Sequence, residues 1–481
     1  MTVNQSVFDQ VRDFLSTLSL RLRTRLIREI GELRARDEAD TFYPIILDLL
    51  RETLRNESDA AKRDGRPHPL FCEPLEPFLV DELGQMKHRG FIRREALYAV
   101  WRWLHGEGEM ADPLDEAEEA AITALLDGDD ERAASLMSGM RRDSVPAIEK
   151  ALRDAASDQR VLMHLAMQLE GGRNLDDMPD IAAVFRMENR LTKLAAKLPP
   201  MIDNLDSELA TTIIKRLRNN GSDIVYPLNM VYHRLESPVQ IIRVLTQYEG
   251  TDDGARLSRS PFAECVEIVL ADMDFAAERI IERSGKPSEF EDLLVAIRQF
   301  YSLANGVNAA VDVEGAAEWR KRLAGLRRRA SEVLSKEVEQ IPGAIRRVVR
   351  SNRRNGGRGG PVQEEDILEA EYAVRLMTAL RPYREELAVN ELLATVVGQI
   401  ENYIEAVNGA ILEDMRDAIG GEREMAERDL DAALRINRIV FGDNYAALLK
   451  RSAENAALQL GDEDDDDLGD SANGVEQVSA A

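Results

Sequence analysis

The fold class is indicated most clearly by residues 390–418, which read NELLATVVGQIENYIEAVNGAILEDMRDA. Apolar side chains recur there at alternating steps of four and three residues, at Leu393, Val397, Ile400, Ile404, Val407 and Ile411. This heptad spacing places them on one face of an α-helix, which needs a partner helix to cover it. The seam is shorter than the three or four heptads of a coiled coil, so the partner is either a helix of the same chain or a second copy in a homo-oligomer.

The same three- and four-residue spacing of apolar side chains extends over almost the whole chain, beginning with Phe8, Val11 and Leu15. Strict alternation of β-branched residues, which is typical of strands, is nearly absent. We therefore predict an all-α protein, in which an irregular α-hairpin (solenoid-like) array is followed by a bundle of longer helices.

Prolines, glycines and capping residues divide the chain into four predicted regions. A helical region covers residues 1–110 and contains a proline-rich, non-helical corner at 64–78. Residues 111–254 form the short-helix α-hairpin array, with helix breaks expected at 127–129, 143–144 and 157–158 because Asp, Ser and Gly cap or end helices. Residues 255–460 form the long-helix bundle, and 461–481 form a disordered acidic tail.

The composition excludes several classes of protein. The 481 residues include 62 basic and 88 acidic side chains, a net charge of −26, which disfavours general affinity for nucleic acid or anionic membrane. The two cysteines, Cys72 and Cys265, indicate neither a disulfide framework nor a thiolate metal site. We find no signal-peptide core and no uncharged apolar stretch of about 18 residues. These features predict a cytoplasmic protein.

Residues 320–358 depart from this acidic average. They hold thirteen basic residues against Glu332, Glu337 and Glu339, which gives a local charge of +10. The segment ends in an Arg-Gly stretch with no apolar residue to bury. Its arginines and one lysine are the candidate binding residues: Arg320, Lys321, Arg322, Arg327, Arg328, Arg329, Arg346, Arg347, Arg350, Arg353, Arg354 and Arg358.

The tail 461–481 carries eight acidic residues and no basic one. Two interpretations follow from this asymmetry. The tail screens the basic segment, and so competes with a polyanion or an acidic partner, or it confers only solubility while the arginines pair with nearby helix carboxylates.

Searches for catalytic chemistry predict no catalytic, cofactor-binding or metal-binding residue. The five histidines lack the helical spacing of zinc and di-iron ligands. Asp274, Glu278 and Glu282 share one helix face, which we interpret as a solvated acidic stripe. A helical enzyme assembled from distant segments remains an open alternative.

The sequence thus predicts a non-catalytic helical interaction or scaffold protein that acts through protein–protein surfaces and is regulated by its acidic tail. The alternative is a polyanion binder that contacts nucleic acid or anionic lipid through segment 320–358. A basic amphipathic helix suits anionic membrane, but the segment lacks an aromatic anchor. Segment 320–358 contains no Phe, Tyr or Trp that could stack on bases; the preceding residue, Trp319, lies outside it.

Overall fold

The computed structural model describes residues 2–36, 42–81, 84–106, 110–218, 221–350, 362–383 and 389–466. Within these ranges the chain is helical almost throughout, which confirms the predicted all-α class. The first twelve α-helices are α1 Thr2–Thr17, α2 Leu20–Ala35, α3 Tyr43–Arg63, α4 Pro69–Cys72, α5 Arg94–Gly106, α6 Ala111–Leu126, α7 Asp130–Ser157, α8 Gln159–Gln168, α9 Gly172–Ala195, α10 Ser207–Leu217, α11 Val225–Tyr232 and α12 Ile242–Glu249. The remaining eight are α13 Gly254–Leu257, α14 Glu264–Arg283, α15 Phe290–Ala310, α16 Ala317–Val348, α17 Glu364–Leu380, α18 Asn390–Asp417, α19 Gly421–Phe441 and α20 Asp443–Asp466.

Other regular structure in the described residues is short. Six 3₁₀ turns lie at Glu73–Phe78, Gly221–Ile224, Pro238–Ile241, Pro287–Glu289, Val313–Gly315 and Arg381–Tyr383. Two two-residue strands, β1 Leu79–Val80 and β2 Ile92–Arg93, pair in parallel with Leu79 opposite Ile92.

The chain divides into two units, one of residues 1–252 and 256–271 and the other of residues 253–255 and 272–481. The core of the first unit centres on Phe71, whose ring meets Trp101 at 4.7 Å and Phe185 at 5.1 Å in edge-on geometry. All three side chains are buried. Because helices α5 and α9 supply two of them and pack directly on each other, contacts in this unit extend beyond sequence neighbours. The solenoid-like array is therefore not confirmed.

Two local predictions in the first unit need correction. The proline-rich corner is not devoid of helix: it contains α4 and a 3₁₀ turn, and it buries Phe71, Leu75 and Phe78. The break expected at 143–144 is absent, because the Ser144 hydroxyl donates to the Met140 carbonyl inside α7 instead of capping a new helix. The breaks at 127–129 and 157–158 are present, and Asp129 and Asp158 cap α7 and α8.

The second unit is a bundle of long helices, in which α16 packs on α17 and α18, and α18 packs on α19 and α20. Most of the seam predicted on α18 faces these helices, with Leu393, Ile400, Ile404 and Ile411 each at most 1 % exposed. The prediction of Val397 was wrong, because Val396 is the buried residue between Leu393 and Ile400. The covering partner is thus intramolecular. Homo-oligomerisation through helix 390–418 stays a prediction that this buried stripe does not support.

A buried polar contact fixes the alignment of α18 and α19. The side-chain amides of Asn408 and Asn437 exchange two hydrogen bonds of 2.8 and 3.0 Å. A buried amide without its partner costs about 1–3 kcal/mol, so the pair disfavours other registers of the two helices.

Helix α20 extends through Asp466 and so enters the tail that we predicted to be disordered from residue 461. Helical hydrogen bonding propagates at low cost once it is nucleated, which explains the extension. Residues 467–481 lie outside the described ranges. Among the helices described, none is both long enough and apolar enough to cross a bilayer.

Candidate functional site

The basic segment of the second unit forms most of the 32-residue helix α16. The candidate residues from Arg320 to Arg347 all lie on this helix, Arg350 follows its end, and Arg353, Arg354 and Arg358 lie outside the described residues. The structure thus brings eight of the twelve candidates onto one rod-like element. Four of them, Arg320, Arg328, Arg329 and Arg347, pair with carboxylates of the same unit.

Among the arginines of α16 that pair with carboxylates, Arg329 forms the most buried ion pair. Its Nη1 lies 2.6 Å from Asp274 Oδ1, and its Nη2 contacts Glu278. Asp274 is only 3 % exposed. The prediction of a solvated stripe on α14 was therefore wrong for Asp274 and Glu278, which fasten α16 to α14, whereas Glu282 is exposed. A buried ion pair of this kind fixes geometry and leaves its arginine unavailable to an outside ligand.

The two ends of α16 are also matched. Near its start, Arg320 Nη1 lies 3.0 Å from Glu314. Near its end, Arg347 Nη2 lies 2.5 Å from Glu369 and Nε lies 3.4 Å from Asp366 of α17. Hydrogen bonding to Glu369 raises the pKa of Arg347 above its usual value. Arg322, Arg327 and Arg350 also interact with neighbouring groups.

One stripe of α16 faces solvent, and it includes Lys321, Arg328 and Lys336. A shallow depression of about 780 Å³ lies along it and is bordered by Arg328, Lys336, Glu332 and Glu339 among others. Arg328 also pairs with Glu332 at 3.8 Å. The depression therefore carries both signs of charge and is not a concentrated anion site.

In the first unit the sequence analysis missed a buried charged cluster, which we call the Asp177 cluster: Lys87, Arg93, Asp177, Asp180 and Tyr226. Lys87 Nζ lies 2.6 Å from Asp177 Oδ1 and 2.7 Å from Asp180 Oδ2. The Arg93 side chain and its backbone N–H both donate to Asp177 Oδ2, at 2.9 and 3.1 Å. Tyr226 donates its hydroxyl to Asp180 Oδ1 at 2.8 Å.

The two cations and two carboxylates of the Asp177 cluster cancel each other's charge. Burial and the neighbouring Asp180 raise the pKa of Tyr226, so this phenol stays a hydrogen-bond donor. The adjoining depression of about 450 Å³ is bordered by further matched charges, such as Arg186 and Glu149 at 2.7 Å. This network of opposite charges fastens residues 84–93 to α9, and it supports an anchoring role for these side chains.

A different kind of surface occurs on helix α8. Only Leu165 of this ten-residue helix is buried, whereas Met163 is 62 % and Met167 is 77 % exposed. Arg160, Met163, His164 and Met167 are all exposed at helical spacings of three and four residues, so they form one stripe. We call this stripe the α8 face. His164 Nε2 lies 3.1 Å from the Gln168 amide on the same side.

Comparisons with known proteins find no similar family model, no similar curated protein and no similar solved structure.

Proposed function

We propose that this chain is a non-catalytic, cytoplasmic helical scaffold that binds a protein partner through the α8 face. The observation that carries the proposal is the exposure of Met163 and Met167 on a helix with only one buried side chain. Because α8 buries only Leu165, most of its side chains are available for contact with a partner. Methionine is unbranched and polarizable, and it is enriched at adaptable protein-binding surfaces.

The stripe has the pattern of a helix that docks into a groove. Side chains at positions i, i+3, i+4 and i+7 are the usual anchors of such a helix, and on α8 they are Arg160, Met163, His164 and Met167. The two methionines require an apolar groove on the partner, while Arg160 at one end favours an acidic rim. A nucleic acid offers no such groove of apolar side chains, so this surface points to protein.

The test compares affinity capture by three forms of the full chain in nuclease-treated native lysate. The forms are the wild type, Met163→Glu/Met167→Glu and the control Met201→Glu, which places the same charge at a methionine that is 65 % exposed elsewhere in the first unit. We expect one set of proteins to be retained by the wild type and the control and lost by the double variant. Equal capture by all three forms would contradict the proposal.

Segment 320–358 supports a second proposal, polyanion binding regulated by the acidic tail. The observation in its favour is the exposed stripe of α16 with Lys321, Arg328 and Lys336. The pairing of Arg320, Arg329 and Arg347 with carboxylates weighs against it. A polyanion site of several arginines would lose duplex affinity steeply as salt rises, with a slope near −0.9 per phosphate contact.

A further inference from the structure

The first unit brings one histidine and two carboxylates together at the junction of α5 and α6. His105 Nε2 lies 3.6 Å from Asp115 Oδ1 and 4.0 Å from Glu118 Oε2. One potential ligand atom from each residue lies within 4.8 Å of the other two. The ligands of a tetrahedral zinc ion at about 2.0–2.2 Å from the metal are themselves roughly 3.3–3.6 Å apart. Small side-chain adjustments would therefore let the three atoms share one cation.

The orientation of the histidine ring is fixed in the way that metal sites require. His105 Nδ1 lies 3.0 Å from the Trp101 carbonyl oxygen. A carbonyl can only accept a hydrogen bond, so Nδ1 carries the proton and, in the neutral ring, Nε2 presents its lone pair to the carboxylates. The Trp101 ring also packs against the imidazole, with the ring centroids 4.3 Å apart. Backbone and indole together hold the ligand atom in place.

Glu118 is a carboxylate that a cation would stabilise. Its side chain is only 4 % exposed. Besides His105, Glu118 is paired with Lys62, whose Nζ lies 3.7 Å from Glu118 Oε2. That distance exceeds the roughly 2.7–2.9 Å of a charge-assisted hydrogen bond. Asp115 is 65 % exposed, which leaves the cluster open to solvent on one side.

We propose that His105, Asp115 and Glu118 bind one divalent transition-metal ion, with Zn²⁺ as the reference ion. One imidazole nitrogen and two carboxylate oxygens form a donor set of the kind that zinc and other first-row dications take. Three protein ligands and a solvent-facing side leave one coordination position for water. The ion would join α5 to α6, and Lys62 would be its neighbouring cation.

The test is calorimetric titration of Zn²⁺ into chelator-treated full-length protein. The forms are the wild type, His105→Ala, Asp115→Asn and the control Glu116→Gln, which changes an exposed carboxylate of the same helix that is not one of the three ligands. We expect one ion per chain for the wild type and the control. Affinity should fall roughly 100-fold or more in His105→Ala, because even outer-shell partners are worth about 10–100-fold. Asp115→Asn changes an exposed side chain and should leave the fold intact, so a loss of Zn²⁺ affinity in this variant reports the loss of a ligand.

Two further readouts locate the ion. Co²⁺ should quench the fluorescence of Trp101, which lies against the His105 ring, and His105→Ala should abolish that quenching. Lys62→Met should raise Zn²⁺ affinity roughly tenfold, because the Lys62 ammonium, 3.7 Å from Glu118 Oε2, opposes a dication bound to that oxygen. The proposal is overturned if the wild type does not bind Zn²⁺. It is also overturned if His105→Ala and Asp115→Asn both bind Zn²⁺ with the affinity of the wild type. Affinity that does not rise in Lys62→Met contradicts the proposed position of the ion.

Discussion

Removal of the Asp177 carboxylate is predicted to destabilise the first unit strongly. Asp177 is fully buried and accepts two hydrogen bonds from Arg93 while it pairs with Lys87. Asp177→Ala leaves the Asp177 cluster with two cations and only Asp180 to balance them, a net charge of +1. Breaking a buried pair in this way costs about 3–5 kcal/mol.

The matched control is the adjacent residue on the same helix. Asp176 is exposed, so Asp176→Ala should change the free energy of unfolding by about 0.5 kcal/mol or less. A third variant, Arg93→Met/Asp177→Leu, removes one charge of each sign and keeps Lys87 with Asp180. It should be less destabilised than Asp177→Ala, because no uncompensated buried charge remains.

The assay is urea unfolding followed by tryptophan fluorescence in a Trp319→Phe background. The chain has three tryptophans, and this background leaves Trp101 and Trp103, which both lie in the first unit. The signal then reports that unit alone, and the shift in midpoint multiplied by the slope gives the free-energy change. If Asp177→Ala unfolds within about 1 kcal/mol of Asp176→Ala, the reasoning about the cluster is refuted.

Three more predictions test other parts of the account. Gly128→Ala should lower the free energy of unfolding by at least about 1–2 kcal/mol, because Gly128 has φ +79° and a Cβ there would lie 2.8 Å from the backbone of α2. Gly139→Ala, which adds a Cβ in open space within α7, should raise the free energy of unfolding by about 0.5–1 kcal/mol. Midpoints of urea unfolding distinguish the two variants. Burial raises the pKa of Asp429 to about 6, although Arg350 opposes the shift, so stability from this group is present below about pH 4 and is lost as pH rises through 6. Asp429→Asn should therefore be more stable than wild type at pH 7 by on the order of 1 kcal/mol and should match it near pH 4 in parallel denaturations. Deletion of residues 461–481 should increase binding to a short duplex at low salt if the acidic tail screens the basic segment, and unchanged binding would count against that screening.

Local periodicity predicted the long helices of the second unit, because the spacing of apolar side chains within one helix shows which of its faces is buried. The alternating steps of α18 identified most of the stripe that is buried in the bundle from Leu393 to Ile411, with Val396 buried where Val397 was predicted. What a single helix cannot specify is which carboxylate meets which arginine. Arg329 and Asp274 are 55 positions apart, so the spacing of the acidic row on α14 did not reveal that Asp274 and Glu278 pair with Arg329.

The candidate sites show the same limit of sequence reasoning. Asp177 and Lys87 are 90 positions apart, and no spacing rule connects them. The spacing rules did not reveal the proposed metal-ligand cluster, because His105 comes from the end of α5 and the two carboxylates are an i, i+3 pair on α6. Those rules covered only histidine spacings within one helix. The only available signal was His105 followed ten positions later by Asp-x-x-Glu. The exposure of the α8 face was not predictable, because methionine at those spacings is equally typical of a core helix.

The most direct test of the proposed function is site-specific photo-crosslinking in living cells. A photoreactive amino acid is placed at position 163, at 167 or, as a control, at 201, and the products are resolved after nuclease treatment. The account predicts a discrete adduct with a second protein from positions 163 and 167 and none from 201. No adduct from the α8 face, or the same products from all three positions, would contradict the claim that this chain acts by binding a protein through α8.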